Sequence, residues 1–146
     1  QISCLAEVTP AMLEASHCLS GKIYARAAHV AGECDRVRRA AACLKEGDIR
    51  TLGKLIDASH ESLSKNYEVT GKELDTLAEL SRSEEGCIGA RMIGAGFGGC
   101  IIAIVEKDRV KAFEQHVGER YLHRIGYAAS FYRTSVEDGV VVEHFN

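Results

Sequence analysis

Residues 89–100 read GARMIGAGFGGC, and this glycine-rich segment lies between an apolar run over 88–93 and a second one over 100–105. Four of the fourteen glycines fall within 94–99. Glycine costs conformational entropy, so such a concentration usually occurs where the backbone turns tightly or lies against a ligand. The residues on either side therefore determine what the segment is.

The spacing Gly94-x-Gly96-x-x-Gly99 fits a dinucleotide-binding fingerprint, which needs a strand before the glycines and a helix after them. Here the glycines precede a β-branched run of strand length, and the next helical pattern starts only around Asp108. No Gly-Lys-Ser/Thr follows, which excludes a Walker-type loop. The segment therefore predicts a loop that joins two strands.

Two interpretations of this loop remain open from the residues alone. Consecutive N–H groups at Gly94, Ala95 and Gly96 could form an anion-binding concavity. The same glycines could instead serve a structural hairpin that needs positive φ and close backbone approach. Arg91, in the preceding strand, could point toward helices or outward.

Composition predicts one soluble domain over residues 1–146, with 46% hydrophobic and 27% charged residues. A net charge of −3 gives no reason to expect nucleic acid or a membrane as a partner, and no apolar stretch approaches 18 residues. The six cysteines show no metal-binding or disulfide spacing. We therefore expect reduced thiols, no metal site and a cytoplasmic location.

The first half of the chain predicts a helical hairpin. An apolar stripe repeats at steps of four and three along a long helix, and we expect it to pack against another element; it comprises Ile23, Ala27, Val30, Cys34, Val37, Ala41 and Leu44. Gly47 should end this helix and Asp48 should cap the next one. Thr70 and Glu73 have the spacing of a capping box for a third helix.

After the loop and its strands, Asp108 is predicted to cap a helix that ends at Gly126. Its inward face would carry Val110, Phe113, Val117 and Tyr121. Residues 127–133 and 140–145 read as two further strands. This order indicates an α+β fold, with a mostly antiparallel sheet and helices packed on one face.

The scattered histidines indicate no catalytic centre. His29 and Glu33 are interpreted as a surface pair on a helix. Ser59-His60-Glu61-Ser62 contains catalytic residue types, but neighbours on a helix point in different directions and do not converge. We expect local hydrogen bonds there, and we assign no catalytic residue.

Residues 89–100 closely resemble the third motif of the GHMP kinases, in the form found in the galactokinase branch of that family. Residues 59–63 (SHESL), 67–70 (YEVT) and 73–77 (ELDTL) are similar to the segment that leads into this motif. Residues 25–30 (ARAAHV), with Glu33, are similar to the family's long helix. The resemblance spans about residues 7–132, and Ile93 departs from it, since the family usually has Thr or Ser there.

The resemblance implies a ferredoxin-like C-terminal domain of a sugar kinase. The full enzyme would transfer phosphate from ATP, with Mg²⁺, to the C1 hydroxyl of galactose. The sugar site, the catalytic groups and most ATP contacts would lie in an N-terminal domain that this chain lacks, so we expect the chain alone to be inactive. The expected cleft residues are Gly94, Ala95, Gly96, Phe97, Gly98 and Gly99, with Arg91 in support.

One further expectation and two alternatives accompany this interpretation. The face that meets the N-terminal domain would be exposed, so the isolated chain could self-associate. Another GHMP sugar kinase is an alternative, because most residues that select the sugar lie outside this chain. A stand-alone α+β module that binds a small ligand is the second alternative.

Overall fold

A computed structural model describes residues 2–135. Within these residues the fold consists of five α-helices and one pair of antiparallel strands. In chain order they are α1 (Pro10–Ser16), α2 (Gly21–Glu46), α3 (Ile49–Ser62), α4 (Lys72–Arg82), β1 (Cys87–Met92), β2 (Ile101–Val105) and α5 (Val110–Ile125). A short 3₁₀ turn covers Leu5–Glu7, and a π-helical turn, Leu63–Tyr67, continues α3.

Helices α2 and α3 form the predicted hairpin. Gly47 ends α2 in the left-handed region, with φ of 74°. The Asp48 side chain accepts a hydrogen bond from the Thr51 amide at 3.0 Å, which confirms it as the cap of α3. Cys43, Leu52 and Leu55 form a small core between the two helices.

The face of α2 that packs on α3 differs from the predicted stripe. Ile23, Val37 and Leu44 are more than 60% exposed, whereas the contacts with α3 and the turn after it come from residues such as His29, Glu33 and Ala40. The expectation that the stripe packs against another element holds for Ala27, which is buried, but is wrong for Ile23, Val37 and Leu44. Hydrogen-bonded polar side chains instead hold a neighbouring face of α2 against α3.

Strand β1 lies between α3 and β2. It pairs with β2 in a register that places Ala90 opposite Ala103. On its other edge it meets α3 backbone to backbone: a Cβ added to Gly53 would stand 1.9 Å from the Ile88 carbonyl oxygen. Two glycines, Gly53 and Gly89, make this close contact possible.

Helix α5 packs on α4 and against side chains of both strands. Phe113, Val117 and Tyr121 are buried with Leu80, which confirms the predicted inward face of α5. Gly126 ends α5 as predicted, at φ of 98°.

Two predicted helix caps are wrong. Helix α4 begins after Gly71, and the structure gives no cap hydrogen bond from the Thr70 side chain. Helix α5 begins after Arg109, so Asp108 lies one residue too early to cap it. Both helices instead begin with a backbone hydrogen bond and no side-chain cap. Asp75 N–H donates to Gly71 O in α4, and Phe113 N–H donates to Arg109 O in α5.

The strand predicted over 127–133 is also wrong. These residues have extended sequence character but form no ladder in the part of the chain that the structure describes. Ala129 and Phe131 instead pack their side chains on the core beneath α5. The strand predicted over 140–145 lies outside the described residues.

The α+β class and the antiparallel pairing of the sheet are confirmed. Within residues 2–135, no helix combines the length and the apolar character needed to cross a membrane.

Candidate functional site

The glycine loop, defined here as residues 93–100, joins β1 to β2. Its base is closed by the Ile93 amide, which donates to the Cys100 carbonyl at 2.9 Å. Its tip is held by a second hydrogen bond, from the Phe97 amide to the Val69 carbonyl at 3.1 Å. The loop therefore lies against the segment between the π-helical turn and α4.

Gly96 is required at its position for two reasons. Its φ is +85°, a region that L side chains rarely adopt. A Cβ there would also stand 2.0 Å from the Val69 carbonyl oxygen. Both halves of the structural interpretation, positive φ and close approach, therefore apply to this residue.

The loop also has the features that an anion site needs. The amides of Gly94, Ala95, Gly96, Gly98 and Gly99 donate to no backbone acceptor within residues 2–135. Most of the loop is exposed, and the Phe97 side chain is 76% exposed. Backbone donors on an accessible glycine turn suit phosphate oxygens.

The guanidinium group of Arg91 contacts Glu33 on α2 and the end of β1. Its Nη1 donates to Glu33 Oε1 at 3.0 Å, and its Nε donates to the Met92 carbonyl at 3.0 Å. Glu33 also accepts from Ser59 Oγ at 2.6 Å and from Arg36 Nε at 2.9 Å. Burial raises the pKa of Glu33, but the hydrogen bonds from Ser59 and Arg36 outweigh this and lower it.

His29 and Glu33 are therefore not the surface pair that the sequence predicted. His29 is buried, its Nδ1 lies 2.9 Å from Ser62 Oγ, and its ring stacks near Tyr67 with centroids 4.7 Å apart. Burial lowers the pKa of His29. Spacing along one helix did not reveal that a second helix covers this pair.

The contacts of Ser59 and His60 were also expected to be local, and this is wrong. Ser59 reaches α2 through Glu33, whereas His60 accepts from the Met92 amide at 3.0 Å through Nδ1. His60 Nε2 lies 3.2 Å from Asp75 Oδ1, but the two atoms do not form a hydrogen bond. The two residues point to different elements, so they do not converge on one reacting atom, as predicted.

Asp57 is a partner of β1 that the sequence analysis missed. Its Oδ1 accepts from the Ala90 amide at 2.8 Å. Asp57 and His60 are three residues apart on α3. Their side chains therefore accept hydrogen bonds from alternate amides of β1, those of Ala90 and Met92. Only the position of α3 beside β1 reveals these roles.

The described part of the chain has open backbone amides in the glycine loop. Within 2–135, no three His, Cys, Asp or Glu residues are grouped so that they could hold a metal ion. The candidate site therefore consists of the glycine loop and a supporting network beside β1. In this network Glu33 on α2 contacts Arg91, and His60 on α3 contacts Met92.

A family model described as GHMP kinases C terminal matches residues 40–123, more than half of the chain. The chain belongs to this family. The glycine loop, residues 93–100, lies inside the matched region.

The similar proteins identify the branch of the GHMP family that this chain resembles, because they are galactokinases. A galactokinase of Ligilactobacillus salivarius (strain UCC118) is 54% identical over 117 residues, covering 80% of this chain and 30% of that protein. A galactokinase of Lactobacillus helveticus is 54% identical over 114 residues, covering 78% of this chain and 29% of that protein. The chain thus spans about 30% of the length of these relatives.

A solved structure also matches the fold. The galactokinase of Lactococcus lactis, in a crystal structure complexed with galactose, aligns with a TM-score of 0.87 at 43% identity. The alignment covers 90% of this chain and 34% of that protein. The fold is therefore that of the galactokinase C-terminal region.

Proposed function

We propose that this chain is the C-terminal part of an ATP-dependent galactose kinase. The observation that carries the proposal is the glycine loop, whose open amides lie in a domain similar to galactokinases at 50–54% identity. We also propose that residues 1–146 form a single domain of that longer protein.

In the proposed reaction, the C1 hydroxyl oxygen of galactose attacks the γ-phosphorus of ATP. A new O–P bond forms as the bond from the γ-phosphorus to the β,γ-bridging oxygen breaks. ADP leaves, and the hydroxyl proton goes to a base outside this chain. Such transfers depend mainly on positioning and electrostatic stabilisation.

The loop's part in this reaction is to form one wall of the cleft. Backbone N–H groups aimed at phosphate oxygens stabilise charge without a proton transfer, and a close wall excludes water. The residues proposed to line the cleft are Gly94, Ala95, Gly96, Phe97 and Gly98, with Gly99 and Arg91 in support. Arg91 would act through the Glu33 network, which ties β1 to α2.

The proposal gives this chain a part in binding ATP but no part in binding Mg²⁺. The open loop amides fit phosphate oxygens, so this chain would contribute to ATP binding. The described residues do not provide a cluster of ligands for Mg²⁺, so we assign no step of this chain to the metal.

The exposed stripe of α2 supports a larger protein as its setting. Ile23, Val37 and Leu44 lie along one side of a 26-residue helix, and each is more than 60% exposed. We propose that the N-terminal part of the kinase covers this surface. The six cysteines are free thiols, which fits a cytoplasmic location.

The two alternatives are not favoured. A different sugar kinase or a stand-alone binding module would have to share about half of its residues with galactokinases over most of this chain.

The test compares ADP release by the galactokinase-length protein and by the 146-residue chain, with galactose and ATP. We expect turnover by the longer protein and none above blank by the chain. Failure of the longer protein to phosphorylate galactose would overturn the proposal.

The loop's role is tested by Gly96→Ala in the longer protein. The added methyl group would displace the loop tip from Val69, so kcat/KM should fall about 10- to 100-fold. Gly118→Ala is the matched control, because its Cβ would meet only the edge of the Phe131 ring, at 3.3 Å. Normal kinetics in Gly96→Ala would refute the loop's role.

A further inference from the structure

The start of the glycine loop is fixed by a buried histidine. Met92 is the last residue of β1, and its amide points away from β2 toward α3. There it donates to His60 Nδ1 at 3.0 Å. His60 is only 2% exposed, so water does not compete for this amide.

This hydrogen bond defines the state of the imidazole ring. Nδ1 accepts a hydrogen bond from the Met92 amide, so in the neutral ring the hydrogen is on Nε2, which lies 3.2 Å from Asp75 Oδ1. Asp75 is itself held by Ser64 Oγ at 3.1 Å. The ring therefore holds the end of β1 through one hydrogen bond and lies in close contact with Asp75 on α4.

Both ends of the glycine loop depend on the same neighbourhood. The tip is attached to Val69, whose amide donates to the Leu63 carbonyl at the start of the π-helical turn. The base follows directly from Met92, and the Met92 Cε would lie 3.3 Å from a Cβ at Gly96. Met92 is therefore next to both ends: it precedes the base in the chain, and it packs in the same core cluster as Val69, which holds the tip.

We propose that His60 is a positioning residue for the glycine loop, and that only its neutral Nε2–H form holds the loop in place. A proton on Nδ1 would face the Met92 amide proton, and two donors cannot share a hydrogen bond. Protonation of His60 therefore releases the end of β1. The inference rests on the proposed function only for its effect on phosphoryl transfer.

The charges around His60 oppose this protonation. Arg82 on α4 and Arg91 on β1 act against a positive ring, whereas Asp75 on α4 favours it. Burial is the largest influence and lowers the pKa of His60, with Arg82 acting in the same direction. Burial and the hydrogen bond from the Met92 amide to Nδ1 therefore both favour the neutral ring.

Two substitutions separate the two nitrogens of the ring. In His60→Asn, the amide oxygen stands near the position of Nδ1 and can still accept from Met92. In His60→Gln, the longer amide reaches the position of Nε2 and can still contact Asp75, but the Met92 amide loses its acceptor. The two variants are matched in polarity and differ in which contact they keep.

The experiment is a ¹⁵N NMR comparison of the 146-residue chain with both variants, with hydrogen exchange at Met92. We expect His60→Asn to keep the wild-type signals of Gly94, Gly96 and Gly98. We expect His60→Gln to shift them and to speed exchange at Met92 about five- to tenfold. Equal loop signals in the two variants, or a larger change in His60→Asn, would overturn the inference.

A second measurement keeps the inference testable if a variant does not fold. In the wild-type chain, the loop glycine signals should change with falling pH at the midpoint reported by the His60 ring itself. Loop signals that ignore the protonation of His60 would overturn the inference. Neither measurement uses kinase activity, so failure here is distinct from failure of the proposed function.

Discussion

Replacing Gly53 by Ala should destabilise the protein, although it improves helix propensity. Gly53 lies inside α3, where Ala is favoured over Gly by about 1 kcal/mol. The added Cβ would stand 1.9 Å from the Ile88 carbonyl oxygen, whereas ordinary van der Waals contact begins at 3.4 Å. Helix α3 and strand β1 would have to separate by about 1.5 Å, and backbone atoms on both sides resist this.

The magnitude follows from what that separation breaks. Overpacking of this kind costs about 1–3 kcal/mol. The hydrogen bonds from Ala90 to Asp57 and from Met92 to His60 cross the same contact, and leaving such buried donors unpaired adds about 1–3 kcal/mol. After the gain of about 1 kcal/mol in helix propensity, the net loss is about 1–5 kcal/mol. The middle of this range, about 3 kcal/mol, corresponds to about 10 °C in Tm for a chain of this size.

The assay is urea and thermal unfolding followed by circular dichroism. Gly32→Ala and Gly118→Ala are matched controls inside α2 and α5. Their added Cβ atoms would meet only the Arg36 and Phe131 side chains, at 3.1 and 3.3 Å. They should range from neutral to about 1 kcal/mol more stable. If Gly53→Ala is as stable as these controls, the close contact between α3 and β1 does not constrain the fold.

Two further predictions concern stability and association. His29 and His60 have lowered pKa values in the folded chain, so below their ordinary value of 6.5 the unfolded chain binds protons that the folded chain does not. The free energy of unfolding should therefore fall between pH 7.5 and 5.5, and urea midpoints that stay constant over this range would contradict the assignment. The isolated chain should self-associate through the exposed α2 stripe at high concentration, which sedimentation experiments can measure. The double substitution Val37→Lys and Leu44→Lys should abolish this association. A wild-type chain that stays monomeric would refute the prediction.

The sequence predicted the elements well where the signal is local. The end of α2 at Gly47, the Asp48 cap and the inward face of α5 all depend on residues within one or two turns. The strand–loop–strand order also followed from local character, because a β-branched run after glycines excludes a helix there.

The supporting network could not be predicted, because its partners are far apart in the chain. Arg91 and Glu33 are 58 residues apart, and His60 and Met92 are 32 apart. Their residue types allow many partners, and only the packing of α3 beside β1 selects these. The same limit applies to the α2 stripe, since a period of 3.6 reveals an apolar stripe but not which of its residues a neighbouring element covers.

The covered edge of β1 also restricts how the sheet can grow. An open edge strand presents unpaired amides and carbonyls to which another chain can add a strand. Here Asp57 and His60 already accept the outward amides of β1, and α3 lies directly against its backbone. A new strand could pair at this side only by displacing a helix, so the protein is protected there against edge-to-edge aggregation, and any added strand must pair beside β2.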